Sequence, residues 1–204
     1  MNTQLRVAAV LFLVTTTSFL VANSLLESAL ASVTAFTALK NQVFIGAFLE
    51  VINSIGVFLI GVLLFSALYR HSLVIATAYL GFRLIESVLL SVGTMAVLLI
   101  AGSNSDLPNA LATARALHDL SFNVAMIFLG VGSVILCYLL NKAKLVPVWL
   151  AVLGLLGYCF LSLSVILELI GMPSSQVLFL PGALFEIIFP IWLLIKGFKQ
   201  GDSA

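Results

Sequence analysis

Five ionisable residues lie within stretches of the chain that are otherwise apolar: Glu50, Arg83, Glu86, Asp119 and Glu186. An ionised side chain at the centre of a bilayer costs about 3 kcal/mol or more, so such residues are retained where they face protein or water. One arginine stands against four carboxylates. This surplus predicts that some of the acids are protonated or that a cation is present.

The types of these residues predict a site for a small polar ligand, a proton or a cation. Arg83 would hold an anionic or carbonyl group, and one acid would exchange a proton or contact a cationic group. Three further polar residues fall near the acids in the sequence and are expected to supply hydrogen bonds at the edge of the site: Asn53, His118 and Asn123.

The composition places these residues in a membrane protein. The chain is 62% hydrophobic and 8% charged, whereas soluble domains carry about 25% charged residues. A spanning helix needs about 20 mainly apolar residues, so 204 residues allow six with short loops. The apolar runs are long and do not alternate with polar residues, so they do not fit the strands of a transmembrane β-barrel. The formal charge of +1 argues against nucleic acid as a partner, and the bilayer is the expected one.

We predict an all-α bundle of six transmembrane helices that forms one domain over residues 1–204. Polar and Gly- or Pro-containing segments separate the spans, and Asp106, just ahead of Pro108, is typical of a helix start. The predicted spans are residues 7–26, 42–68, 74–101, 109–140, 147–170 and 177–195.

The basic residues predict the orientation. By the positive-inside rule both termini are cytoplasmic, and the loop near Asn104 is extracytoplasmic. The side opposite the termini has only Lys40 and Arg115. Six basic residues fall on the termini and on the second and fourth loops: Arg6, Arg70, Lys142, Lys144, Lys196 and Lys199.

The N-terminal segment has a second interpretation. Arg6, an apolar stretch and the small residues 29–31 resemble a signal peptide with its cleavage site. The stretch is longer than a usual signal core, and the chain begins at Met1, so we expect a retained helix.

A weak internal repeat suggests three helical hairpins. Residues 46–52 (GAFLEVI) match residues 182–188 (GALFEII), and Asp119 lies near the midpoint between Glu50 and Glu186. Each acid falls on the order of 15 Å below the start of its helix, at about 1.5 Å per residue. The repeat predicts three acids at a common depth. Alternatively, the two segments match by chance, because the chain is built largely from a few apolar residue types.

Arg83 and Glu86 are three residues apart and therefore share a helix face. Because their helix ascends from the cytoplasm, we expect them to reach the level of the acids on the descending helices. Arg83 is predicted to pair with an acid from another helix, Glu50 or Glu186, in a polar cavity that opens toward the outer face.

The sequence favours binding over catalysis. With only His71 and His118, far apart, neither a histidine-rich zinc site nor a bis-histidine haem is expected. There is no HExxH, GxSxG or phosphate-loop pattern. We therefore expect no enzymatic activity, no cofactor and no metal, although an intramembrane enzyme with a carboxylate base stays open as a distant alternative.

Two function classes remain open. In the first, the protein is a small binding protein or transporter whose acid and arginine cluster engages a ligand. In the second, it is a non-catalytic sensory or accessory membrane subunit in which Arg83 locks helices together and the remaining acids are protonated. Transporters often contain inverted repeats, and the repeat found here is parallel, which weighs against transport.

Several motifs resemble one family along nearly the whole chain. They are Asn41-Gln42 ahead of residues 46–50, residues 79–86 (YLGFRLIE), Asp119 with Phe122, residues 145–150 (LVPVWL) and residues 191–198 (IWLLIKGF). The chain is similar to the bacterial membrane-protein family called domain of unknown function 4386, and the Gly-Phe-Arg-x-x-Glu element is the most specific part. The resemblance implies a multi-pass protein of the bacterial inner membrane and no particular activity. That family often has arginine where His118 stands.

Overall fold

The computed structural model describes residues 3–102, 107–173 and 176–198, and these residues form seven α-helices and one 3₁₀ helix. Six of the α-helices are long and apolar enough to cross a membrane, the last of them together with most of the 3₁₀ helix. The elements are α1 (Thr3–Ala29), α2 (Val33–Ala38), α3 (Lys40–Leu68), α4 (Leu73–Ala101), α5 (Leu107–Lys142), α6 (Val148–Leu169), the 3₁₀ helix (Gln176–Phe179) and α7 (Leu180–Ile195).

The six predicted spans are confirmed, and most helices extend a few residues beyond the predicted ends. The short helix α2 between the first two spans was not predicted; Ser32 caps its start by accepting a hydrogen bond from the Ala35 amide. Asn104 and the proposed helix-start residue Asp106 lie outside the described residues. The orientation stays a prediction, and we call the end that carries Ala29 and Ala101 the outer end.

The spanning helices form a closed ring. Each packs against the helix before and after it in the order α1, α3, α4, α5, α6, α7, and α7 closes the ring against α1. Large apolar side chains cover the outside of the ring, such as Val74 and Leu99. This surface suits lipid, and the arrangement leaves side chains from all six helices to meet at the centre.

Close approach of two backbones joins α7 to α6. A Cβ atom on Gly157 would lie 2.6 Å from the backbone nitrogen of Gly182, so glycine at 157 lets the helices touch. Small residues at helix crossings are a general means of tight packing in membranes.

Helix α7 differs from the other spanning helices. It has 16 residues, whereas α1 has 27 and α6 has 22. Pro181 lies in its first turn and Pro190 within it. The short α7 therefore lines the inner part of the ring, and the 3₁₀ helix occupies its place nearer the outer end.

Candidate functional site

The buried ion pair of the structure lies within α4. Arg83 Nη1 donates to Glu86 Oε2 at 2.9 Å, and the two side chains are only 4% and 3% exposed. The pair forms because residues three apart share a helix face, and this face is turned into the ring. A second nitrogen of the guanidinium, Nε, is buried without a hydrogen-bond partner among the described residues.

Aromatic rings surround the Arg83 guanidinium. Its central carbon lies 5.9 Å from the ring centroid of Phe12 on α1 and 6.0 Å from that of Tyr79, one turn earlier on α4. A cation over a ring face is stabilised by the ring quadrupole. Phe12 belongs to a different helix, so this contact ties α4 to α1 across the ring.

Glu186 approaches the same region from α7. Tyr158 on α6 donates its hydroxyl hydrogen to Glu186 Oε1 at 3.2 Å. Pro190 follows Glu186 by one turn, and proline has no backbone N–H, so it cannot donate to the Glu186 carbonyl as an ordinary helical residue would. Glu186 thus brings a carboxylate and a carbonyl without its usual helical partner.

A central cavity of about 270 Å³ connects these residues. Arg83, Glu86 and Glu186 line it together with Asn53, which is 7% exposed and makes no side-chain hydrogen bond to any described residue. All six spanning helices contribute to the wall. The remaining lining residues are Phe12, Thr15, Thr16, Phe19, Leu20, Val57, Leu90, Phe122, Met126, Leu129, Leu161, Phe179, Gly182 and Ala183.

A second polar group lies nearer the outer end. His118 Nε2 on α5 is 2.8 Å from Glu50 Oε1 on α3, and both side chains are largely buried. Thr94 on α4 donates to Glu50 Oε2 at 2.8 Å. Three helices thus meet at one carboxylate, and Asn53 borders both this group and the central cavity.

Above this group, the outer end contains an open vestibule of about 480 Å³. Asp119 lies in its wall with a side chain 60% exposed, 3.8 Å from Arg115. Asn123 donates to Glu168 Oε1 at 3.3 Å in the same wall. These are solvated polar contacts, unlike the buried pair on α4.

Two aromatic rings separate the vestibule from the cavity. Phe19 of α1 and Phe122 of α5 stack across the ring of helices, with centroids 5.4 Å apart and planes within 1° of parallel. Both residues line the vestibule and the central cavity. The stacked pair therefore forms an apolar partition between the two spaces.

The predicted pairing of Arg83 with an acid from another helix is wrong, because its ion-pair partner is Glu86 on its own helix. The predicted common level of Arg83 and Glu86 with Glu50 is also wrong. Glu86 and Thr94, the Glu50 partner, are about 12 Å apart along α4 at about 1.5 Å per residue. Glu50 and Arg83 are each about 15 Å from the start of a 29-residue helix, but α3 starts at the outer end and α4 at the inner end, so the two residues do not meet.

The eight predicted residues therefore divide among three places in the structure. Arg83, Glu86, Glu186 and Asn53 line the central cavity. Glu50 and His118 form the outer polar group, and Asp119 and Asn123 lie in the vestibule. Gly46 and Gly182 both pack against the preceding spanning helix, and the hairpin repeat stays a prediction.

Sequence reasoning missed several residues that shape the site. Tyr158 lies in an apolar span, and its hydroxyl was a usable signal because a buried tyrosine needs a hydrogen-bond partner. Pro190, four residues after Glu186, was a second signal. No signal in the sequence marked the Phe19 and Phe122 partition, because phenylalanine is common throughout the chain.

The described residues contain no group of three or more His, Cys, Asp or Glu side chains close enough to hold a metal ion. The wall of the central cavity is instead mainly apolar and contains a few hydrogen-bonding groups. Such a combination of a mainly apolar concave surface with a few convergent polar groups is typical of small-molecule sites.

Comparison with known proteins gives one match. No curated protein and no solved structure matches the chain. The family model described as "Domain of unknown function (DUF4386)" matches residues 7–197, which is nearly the whole chain and includes every spanning helix. The chain belongs to the DUF4386 family, and its six long apolar helices are those of a multi-pass membrane protein.

Proposed function

We propose that this protein binds a small molecule in the central cavity, within the bacterial inner membrane and without catalysing a reaction. The observation that supports the proposal is the cavity of about 270 Å³ that all six spanning helices line and that contains Arg83, Glu86 and Glu186. A network that served packing alone would fill this space. An aqueous route to the cavity runs from the outer end, past the stacked rings of Phe19 and Phe122.

The polar groups of the cavity are arranged to meet a ligand. The Arg83 Nε hydrogen is buried without a partner among the described residues, and an unmet buried polar group costs about 1–3 kcal/mol. A ligand that hydrogen-bonds to Arg83 recovers this energy, and the Asn53 amide in the cavity wall adds a second hydrogen-bonding group. The apolar wall would hold the rest of the molecule.

Cysteine accessibility tests the proposal. In a background with Cys137 and Cys159 replaced by Ala, Val57→Cys places a thiol in the cavity wall. Ile60→Cys, on the same helix and buried away from the cavity, is the matched control. A membrane-impermeant cationic methanethiosulfonate reagent is added to intact cells, and mass spectrometry measures the modified fraction.

We expect modification of Val57→Cys and none of Ile60→Cys. Phe19→Ala should increase the rate at Val57→Cys, because it removes half of the aromatic partition. Equal protection of the two cysteines, with and without Phe19→Ala, would show that the cavity is closed to the outside. Such protection, together with absence of ligand binding, would leave the cluster as a packing device of a structural or accessory subunit.

A further inference from the structure

The central cavity reaches the lipid-facing side of the ring between α1 and α7. Leu20 is 60% exposed and Ala183 is exposed, yet both line the cavity. We call this opening, bordered by Thr16, Leu20, Phe179 and Ala183, the α1–α7 seam. Leu20 lies about 26 Å along α1 from Thr3, at about 1.5 Å per residue. The seam therefore opens at the depth of the hydrocarbon layer.

The cavity contains one more acid than base. Its charged lining residues are Arg83, Glu86 and Glu186. Glu86 is paired with Arg83, while the hydrogen-bond partner of Glu186 is the neutral hydroxyl of Tyr158. In a low-dielectric interior an unpaired carboxylate needs a proton or a cation. Glu186 is therefore the acid at which a cation can replace a proton.

The wall suits an organic cation with an apolar body. Four phenylalanines line the cavity, and a ring whose face a cation can reach attracts it by about 2 kcal/mol when the site is desolvated. The cavity has a volume of about 270 Å³. A benzyl- or short alkylammonium ion is of this size, whereas a two-chain phospholipid is not.

We propose that the ligand of the central cavity is a small amphipathic organic cation. It enters from the bilayer through the α1–α7 seam and displaces the proton of Glu186. One positive charge enters as one proton leaves, so the charge of the cavity is unchanged. This inference rests on the proposed binding function and adds the ligand class, its route and its exchange for a proton.

Calorimetry on the purified protein in nanodiscs tests the ligand class. The probe is benzyltrimethylammonium, which carries a permanent charge and no ionisable proton, and its carbon isostere neopentylbenzene is the uncharged control. Titrations at mildly acidic pH in two buffers of different ionisation enthalpy count the protons released. We expect binding of the cation with proton release and at least tenfold weaker binding of the isostere.

Variants locate the exchange. Glu186→Gln should abolish proton release and weaken binding at least tenfold, while Glu27→Gln, an exposed acid outside the cavity, should change neither. Ala183→Trp, which fills the seam, should slow association at least fivefold. Ile187→Trp, one turn further along the lipid-facing side of α7, is its matched control.

The outcomes separate this inference from the proposed function. Cation binding without proton release, equal binding of the isostere, or unchanged proton release in Glu186→Gln would overturn the inference. The proton count on the parent protein decides the question even if Glu186→Gln does not fold. Absence of cation binding with an accessible Val57→Cys would reject the cation and keep the cavity site, whereas absence of cation binding with a protected Val57→Cys would reject both. Equal association rates for Ala183→Trp and Ile187→Trp would reject the seam as the route.

Discussion

Removal of one partner of the Arg83–Glu86 pair should strongly destabilise the protein. Arg83→Met leaves Glu86 uncompensated where its side chain is 3% exposed. Breaking a buried pair in this way costs about 3–5 kcal/mol. Glu86→Met should cost a similar amount, because it leaves a guanidinium that is 4% exposed.

The double variant Arg83→Met/Glu86→Met should be more stable than either single variant. Replacing a whole buried pair by apolar side chains of similar volume is often neutral or stabilising by about 1–4 kcal/mol. Glu186 keeps its proton in this variant, as in the parent protein without a ligand. We therefore expect a coupling energy of several kcal/mol between positions 83 and 86, measured by a double-mutant cycle.

The chain supplies a matched exposed pair. Arg115 and Asp119 are 3.8 Å apart on α5, with side chains 46% and 60% exposed. The cycle of Arg115→Met and Asp119→Met should give about 0.3–0.5 kcal/mol, as exposed helical pairs do. The contact of Arg115 with the Leu30 carbonyl cancels in the cycle.

Reversible unfolding in mixed micelles of a mild detergent and sodium dodecyl sulfate, followed by circular dichroism, measures the free energies of the parent and the six variants. The reasoning would be refuted if the effects of Arg83→Met and Glu86→Met were additive. It would also be refuted if their coupling were no larger than that of the exposed pair. In either case the pair would not be a desolvated unit at the base of the cavity.

Three further predictions use the same unfolding assay or simple labelling. Gly157→Ala should lower the free energy of unfolding by about 1–3 kcal/mol, because the new Cβ meets the α7 backbone at 2.6 Å; Gly81→Ala, whose Cβ meets no atom within 4 Å, should be neutral or slightly stabilising. Tyr158→Phe removes the hydrogen bond to Glu186 and should cost about 0.5–1.5 kcal/mol; an unchanged stability would contradict that bond. In a cysteine-free background, Thr34→Cys should react with an impermeant maleimide on intact cells and Lys144→Cys should not; the reverse result would invert the predicted orientation.

The sequence was sufficient for the membrane bundle and for the identity of the polar residues. An apolar run long enough to span a bilayer has few stable structures other than a helix. The six helices could therefore be predicted from the composition and from the polar segments that separate the spans. The shared helix face of the Arg83 and Glu86 side chains could also be predicted from their spacing, because residues three apart lie on one face. What failed was the assignment of partners between helices.

The failure has a geometric cause. A sequence gives the distance of a residue from the end of its own helix, and converting this into a shared depth requires the true ends of every helix. The helices α3 and α4 each extend for about 43 Å at about 1.5 Å per residue, longer than a minimal span. Glu50 and Arg83 were consequently assigned to one level although they belong to separate groups.

The inner and outer halves of the ring have different packing, and this difference bears on binding and transport. Toward the inner end, Phe12 meets Phe189 edge to face at 5.7 Å, and Phe185 stacks on Phe189 at 4.9 Å. Phe12 lines the cavity, and we infer that this aromatic cluster forms the base of the cavity below Glu186. A binding protein needs only such a closed base, whereas a transporter needs a second state in which the base opens and the outer end closes.

Helix α7 is the element whose displacement could link these states. Ala183 borders the seam, Glu186 lines the cavity, and Phe189 belongs to the aromatic cluster at its base. These residues are three apart along a helix of 16 residues that contains Pro190, where a helical hydrogen bond is missing and bending costs less. Replacement of a proton on Glu186 by a cation acts on the same short helix. Exchange at the site and opening of its base would then be coupled through α7.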